Sequence, residues 1–336
     1  MLEHGAAVKI ANREISKLKR PFLVAEAGDG HQGQPELALQ MARIAVESGA
    51  DALTFQEIDE KFLYTDLGSL PVPHQECVGW ECLEECREVA KAADLCFSVC
   101  VTDSSSLKRA IDVGIDFIKI VSYDLTFIPF LEECGQSGLP IFMSTGASLF
   151  DEVERAIEAL DASDRLVLYH TDCGYPTADD NVGLNRMLRL RERFGLPAGY
   201  CDHTDHGLSC IAASALGAAV IEKHFTVDRS IGGSDHMVAF DPKQITQLFT
   251  DIKRTAVILG DGKDQIHPAD LYRRDNLRRS VALRRAVSEG EKIREDLLTM
   301  LRPSGGLAWA ERRSVVGKVA CRDLPFRHQI TLDDVV

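Results

Sequence analysis

Eight short apolar runs, each followed by an amphipathic one, constrain this 336-residue chain more than any other feature. The runs cover residues 22–26, 52–56, 97–101, 117–120, 141–144, 166–170, 198–202 and 220–224. Between them, 35–48, 80–93, 104–113, 127–137, 151–160, 182–194 and 208–216 carry the three-to-four spacing of helices, and 242–259 follows the last. Gly49, Gly114, Gly138, Gly195 and Gly217 each stand just before a strand, where glycine fits the left-handed residue that stops a helix. A strand that returns through a helix pairs parallel with the one before it. Eight such units predict a (β/α)8 TIM barrel. A doubly wound open sheet shares the alternation, but the count and even spacing favour closure.

Barrels of this kind keep their chemistry at the carboxyl ends of the strands. Glu26, Gln56, Lys119, Ser144, His170, Asp202, His203, Glu222 and His224 stand at or just past such ends. His203 and His224 end consecutive runs and are predicted to meet at the rim, with Glu222 and Asp235 close by. Two imidazoles, carboxylates and open positions suit a divalent metal; the competing reading has each histidine capping its strand. Ser144-Thr145 and Asp202 also serve as helix caps in that reading. Lys119 resists it, because it interrupts an apolar run where a lysine more often meets an anion or a carbonyl. His31 follows a strand end in a glycine-rich loop, and substrate contact is open there, as for His236.

The pattern breaks after Gly260. Residues 261–278 read as a linker rich in arginine, and 279–336 as a small β-rich module with strands over 280–286, 297–302 and 314–320. The barrel is assigned 1–260. A net charge of −14 argues against a nucleic-acid surface. No apolar run approaches the ~18 residues that span a bilayer, and the first residues lack a signal-peptide pattern. A cytoplasmic protein without membrane contact is expected. The ten cysteines include no CxxC pair and are expected to be reduced thiols.

Several phrases now line up. They are Ala25-Glu26-Ala27-Gly28, Gly30-His31-Gln32-Gly33, Phe55-Gln56, Lys119-Ile120-Val121-Ser122, Ser144-Thr145-Gly146, Tyr175-Pro176-Thr177, Asp202-His203-Thr204 and Glu222-Lys223-His224-Phe225-Thr226. In that order they resemble the sialic acid synthase family, which includes N-acetylneuraminate, legionaminate, pseudaminate and spore-coat polysaccharide synthases. The C-terminal module, with Arg302-Pro303, resembles that family's SAF (antifreeze-like) domain. The likeness covers nearly the whole chain.

The resemblance implies a carbon–carbon bond-forming transferase of polysaccharide biosynthesis. It condenses phosphoenolpyruvate with an open-chain 2-acetamido sugar, giving a nonulosonic 2-keto acid and phosphate. By position, His203 and His224 would hold a divalent ion, manganese or magnesium. Glu26 would handle protons at the reacting centre. Lys119, Ser122 and Ser144 would hold phosphoenolpyruvate, and Gln56, Asp124, Tyr175 and Asp235 would face the amino sugar. Arg302 would reach the barrel mouth of a second subunit, which implies a domain-swapped homodimer. Sugar preference is expected in loop 59–77 and around Tyr175.

The departures are specific. Thr54 stands where the family has a lysine, Cys100 where it has a threonine, Cys173 where it has an asparagine and Cys201 where it has a serine. All four family residues contact phosphoenolpyruvate. Asp124 replaces a glutamate on the sugar side. Losing the lysine removes a contact worth ~1.5–3 kcal/mol, and thiols are poor donors. Three readings stand: a synthase with a rebuilt phosphate grip, the same scaffold with a different keto-acid donor, and a non-catalytic sugar-binding paralogue. Beside the two histidines the thiols would favour zinc or iron; otherwise they are small buried residues.

Overall fold

The computed structural model describes residues 8–15, 20–58, 63–65, 77–231 and 235–336. Most of loop 59–77, and Gly232, Gly233 and Ser234, lie outside them. The chain forms two compact units, Met1–Gly260 and Asp261–Val336.

The first unit is a closed parallel barrel. Its strands are β1 (Phe22–Gly28), β2 (Ala52–Gln56), β3 (Cys96–Cys100), β4 (Ile118–Ile120), β5 (Ile141–Ser144), β6 (Leu166–His170), β7 (Ala198–Asp202) and β8 (Val220–His224). Each pairs with the next, and β8 closes on β1 in register, with His224 opposite Glu26. Helices α1 (Pro35–Ser48), α2 (Trp80–Ala92), α3 (Ser104–Val113), α4 (Ile128–Gln136), α5 (Phe150–Leu160), α6 (Asn185–Phe194), α7 (Leu208–Ala215) and α8 (Pro242–Leu259) interleave with them. All five helix-ending glycines have positive φ, as their positions predicted.

Side chains alternate across each strand and so form two cores. Outward residues such as Leu23, Leu53, Phe97, Ile118 and Ile221 pack with the helices. Inward residues Phe22, Ala52, Phe117, Phe142, Val167 and Val220 fill the lower barrel. A hairpin of Lys9–Ile10 with Arg13–Glu14 adds Val8, Ile10 and Ile15 to this inner core and closes the floor. Asp51 ties the same end together: Arg20 donates two bonds to its carboxylate, at 2.5 and 2.9 Å, and the Leu23 amide donates another at 2.9 Å. Above the floor the inward positions turn polar, and that layer holds the candidate site. Among the described residues, no helix is long and apolar enough to cross a membrane.

The second unit opens with a helix, α9 (Pro268–Leu277), inside the stretch expected as linker. His267 caps it by accepting from the Ala269 amide, and Pro268 supplies a preset φ. Strands β9 (Ser280–Leu283) and β10 (Leu298–Leu301) pair antiparallel over a core of Val281, Leu283, Ile293, Leu297, Val315 and Ile330. The expected strand 314–320 is instead a turn after a 3-10 helix at Trp309–Ser314, keeping only single bridges at Val319 and Ala320.

Asp334 holds the C-terminus down. It is fully buried and accepts from Arg322 Nε at 3.1 Å, His328 Nε2 at 2.8 Å and the Thr331 amide at 2.9 Å. Burial alone would raise its pKa, but the donors from Arg322, His328 and Thr331 outweigh it and hold the carboxyl below the usual range. A depressed folded pKa gives stability that is present above the ordinary carboxylate pKa and is lost as pH falls through the folded value. Asp334→Asn is therefore expected to lower unfolding stability at pH 7 by about 2 kcal/mol, with the deficit shrinking in acid. Denaturant titrations at pH 7 and pH 3 check this; an equal deficit at both would contradict it.

Candidate active site

Period-two alternation explains which strand-end residues enter the barrel. Glu26, Lys119, Cys201 and Glu222 are inward and buried. Lys119 on β4 and Glu222 on β8 come from opposite sides of the barrel, and their Nζ and Oε1 atoms form an ion pair. The ammonium lies 4.4 Å from the centre of the Tyr169 ring, and the Cys201 thiol donates to Glu222 Oε1 at 3.1 Å. Glu26 Oε1 accepts from the Gly28 amide at 2.7 Å.

This set holds one cation and two carboxyl groups, and that fixes its protonation. Burial disfavours ionisation of both carboxyls. Lys119 overcomes this for Glu222, whose pKa lies below its usual value. Burial would lower the Lys119 pKa, but Glu222 more than offsets it and keeps the ammonium charged. Burial and then the Glu222 charge push Glu26 well above the carboxylate range. Two neighbouring carboxyls with pKa values driven apart are the pattern of an acid and a spectator charge. Of the two, Glu26 is the one whose environment favours the protonated form.

Above this layer stand the two histidines, with ring centres 5.4 Å apart. His203 Nδ1 lies 2.6 Å from the Asp172 carbonyl oxygen, which can only accept, so Nδ1 carries the proton. Its Nε2 lone pair faces the barrel mouth and accepts from the Tyr175 hydroxyl at 3.0 Å, beneath a stacked tyrosine ring. Burial lowers the His203 pKa to about 3 and that of His224 to about 4. Both rings are neutral at physiological pH, as metal donors must be. His224 Nδ1 lies 3.4 Å from Asp235 Oδ2, and burial raises the Asp235 pKa to about 6. Among the described residues, no group of three or more His, Cys, Asp or Glu side chains is arranged to hold a metal. A divalent ion fits here as one held by two neutral imidazoles, with its other positions left to water and substrate oxygens.

Directly behind the histidines, Asp202 and Lys223 point outward. They form a fully buried pair at 2.6 Å. Tyr200, Thr204 and Ser209 donate to the same carboxylate, so Asp202 braces the strand carrying His203 instead of capping a helix. His170 also points outward, donating from Nε2 to the Val182 carbonyl at 2.6 Å. These two strand-end residues therefore do not face the barrel interior.

Ser122 and Ser144 lie at the ends of neighbouring strands, where Ser122 Oγ accepts from the Gly146 amide at 3.0 Å. Asp124 follows, with burial raising its pKa to about 6. Gln56 ends β2. Thr54 pairs with Glu26 in the β1–β2 register and is buried with its hydroxyl unpartnered among the described residues. Arg302 belongs to the second unit, exposed just past β10. His31 is buried against Phe55, with Nδ1 accepting from the Gly33 amide at 3.1 Å. His236 is buried beside Thr226. Tyr169 is not among the residues singled out in the sequence; its place two residues after the inward Val167 on β6 was the available signal.

Comparison with known proteins gives the geometry a context. Residues 41–264 match the NeuB family, which is two thirds of the chain. The chain belongs to the NeuB family. Residues 278–336 match the SAF domain. The N,N'-diacetyllegionaminic acid synthase of Legionella pneumophila is 34% identical over 91% of this chain and 94% of its own. A crystal structure of the N-acetylneuraminic acid synthetase of Leptospira borgpetersenii, in complex with citrate, superposes with a TM-score of 0.74 at 28% identity, covering 81% of this chain and 96% of that one. A spore coat polysaccharide biosynthesis protein E from Chromobacterium violaceum gives 0.77 at 25%, covering 94% and 100%.

Proposed function

We propose that the protein is a nonulosonic acid synthase that condenses phosphoenolpyruvate with an open-chain 2-acetamido sugar. The supporting observation is the buried Lys119–Glu222–Glu26 set, one cation with one ionised and one neutral carboxyl, directly below two neutral imidazoles. The reaction needs these parts. C3 of the enol phosphate bonds to the aldehyde carbon, and the aldehyde oxygen becomes an alkoxide that must take a proton. Glu26, held neutral, donates it. C2 then lacks electrons; water adds there and gives its proton to the Glu26 carboxylate. The C2 hydroxyl then passes its proton to the departing phosphate oxygen as the C2–O bond to phosphate breaks, leaving the 2-keto acid and hydrogen phosphate. A divalent ion on His203 and His224 would polarise the aldehyde oxygen as a Lewis acid. Lys119, with Ser122 and Ser144 nearby, supplies positive charge and hydroxyls for the donor. Gln56, Asp124, Tyr175 and Asp235 face the sugar, and Arg302 comes from the second subunit of a domain-swapped homodimer.

Thr54, Cys100, Cys173 and Cys201 favour a second reading, the same scaffold with a different keto-acid donor, because none of them brings the charge or strong donor of its family counterpart. Calorimetry with phosphoenolpyruvate, beside pyruvate, separates the two. Saturable phosphoenolpyruvate binding that Lys119→Ala removes supports the synthase; tighter pyruvate binding supports the alternative.

Tyr175 supplies a smaller prediction. Its hydroxyl holds the His203 lone pair that an ion would use, so binding must displace it. Tyr175→Phe is expected to raise manganese affinity about 5-fold, one ordinary hydrogen bond, in a calorimetric titration. Unchanged or weaker binding would place the ion elsewhere.

A further inference from the structure

A cavity of about 350 Å³ opens between the loops after β5 and β6, outside the barrel interior. Ser148, Leu149, His170, Asp172, Gly183 and Arg186 line it. None of the site residues named above from the resemblance takes part. Its backbone wall is nonetheless shared with the site, because the Asp172 carbonyl orients His203.

Two side chains define its chemistry. Arg186 is half-buried, and no carboxylate pairs with it among the described residues. Its Nη2 donates to the Ser148 carbonyl at 2.6 Å, and its guanidinium carbon sits 4.6 Å from the Phe150 ring centre. The planar head is thus fixed in place while its charge and remaining N–H groups stay unmatched. Burial lowers its pKa with nothing opposing. His170 is 3% exposed. Its Nε2 proton is committed to the Val182 carbonyl, so in the neutral ring Nδ1 carries a lone pair, and that atom has no partner among the described residues. Burial, opposed by the Val182 bond and reinforced by the Arg186 charge, keeps the ring neutral. The hydroxyls offer no alternative donors: Thr145 donates to Tyr169 O at 2.8 Å, Ser148 to Gly146 O at 3.0 Å and Thr171 to Asp172 O at 3.2 Å. Asp172 adds a carboxylate whose Oδ1 already accepts from the Gly174 amide and Thr177.

The cavity therefore offers one unpaired cation and one buried lone pair without a donor, with the exposed Asn181 carboxamide also in its lining. A bare anion satisfies the guanidinium but meets lone pairs elsewhere. A neutral polyol satisfies the acceptors but leaves the charge. We propose that the cavity binds an oxyanion that also carries a hydroxyl, with hydrogen phosphate as the simplest example. Arg186 takes a charged oxygen, as guanidinium groups do with phosphate. His170 Nδ1 accepts the P–OH proton. Phosphoenolpyruvate, whose phosphate is largely without a hydroxyl proton at neutral pH, fits less well. In the reaction proposed above, released phosphate is an ion of this class, so the cavity would be its way station; that clause alone rests on the proposed function.

The test is calorimetric titration of the full-length chain at pH 7 with EDTA present, using sodium phosphate and sodium sulfate. Sulfate matches phosphate in size but has no hydroxyl proton. Saturable phosphate binding is expected, with sulfate at least about 10-fold weaker, since a buried acceptor without its donor discriminates strongly. Arg186→Gln, at a half-exposed position, is expected to weaken phosphate at least about 10-fold. Equal affinity for sulfate, unchanged binding in Arg186→Gln, or no phosphate binding would each overturn the proposal. None of these readouts needs turnover: a chain that binds phosphate here yet makes no product keeps this site and loses the synthase reading.

Discussion

Lys119→Met is expected to abolish turnover and to lower the unfolding free energy by about 3–5 kcal/mol. The loss is large because the ammonium is the only positive charge in the interior set. Without it, Glu222 and Glu26 share a buried barrel layer beside Tyr169 with no counter-ion. Glu222 then takes up a proton to stay buried, and its folded pKa rises above the unfolded one. The sign of its pH dependence reverses. In the wild type, Glu222 contributes stability above the ordinary carboxylate pKa and loses it as pH falls through the folded value. In the variant its contribution is present in acid and is lost as pH rises through the raised value. Denaturant titrations of both proteins at pH 5 and pH 8 are expected to show the deficit growing with pH. A Lys119→Met protein as stable as wild type at pH 8 would contradict the ion pair. Glu222→Gln with Lys119→Met, which removes both charges, is expected to recover most of the stability and none of the turnover.

The second large effect concerns metal. His203→Ala or His224→Ala is expected to weaken binding of manganese by more than about 100-fold, since each would remove one of the two protein donors proposed for the ion. The Asp202–Lys223 pair that braces both strands is untouched by either change, so melting temperature is expected to move little. Metal analysis of the purified variants, beside calorimetric titration, checks this. Retention of a tightly bound ion by either variant would show that other residues hold it.

The barrel was legible because its signal is repeated. Eight apolar runs with helix-stopping glycines between them leave few other folds; the structure keeps the boundaries of five runs and moves those of the other three by one or two residues. Rim positions were legible only in part. Position at a strand end fixes height in the barrel, but alternation fixes direction, and the two were not separated for His170 and Asp202. Counting outward from Glu222 and His224, which face in, would have put Lys223 and its partner Asp202 outside. The Lys119–Glu222 pair was beyond reach for a different reason. It joins residues 103 positions apart across a closed barrel, and nothing local in either segment records the other. The C-terminal strand expected at 314–320 failed on packing: Val315 enters the small core from a turn, so apolar content was mistaken for strand periodicity. The Arg186 cavity had no sequence signature, since both polar members belong to segments whose apolar neighbours account for them.

Product stoichiometry tests the proposed reaction itself. The full-length protein, loaded with manganese, is incubated with phosphoenolpyruvate and a set of open-chain-accessible 2-acetamido sugars, and both inorganic phosphate and the new 2-keto acid are quantified. One phosphate is expected per keto acid formed, with dependence on both substrates and loss on chelation or in Lys119→Met. Phosphate released without a new carbon–carbon product, or a product formed equally well from pyruvate, would contradict it.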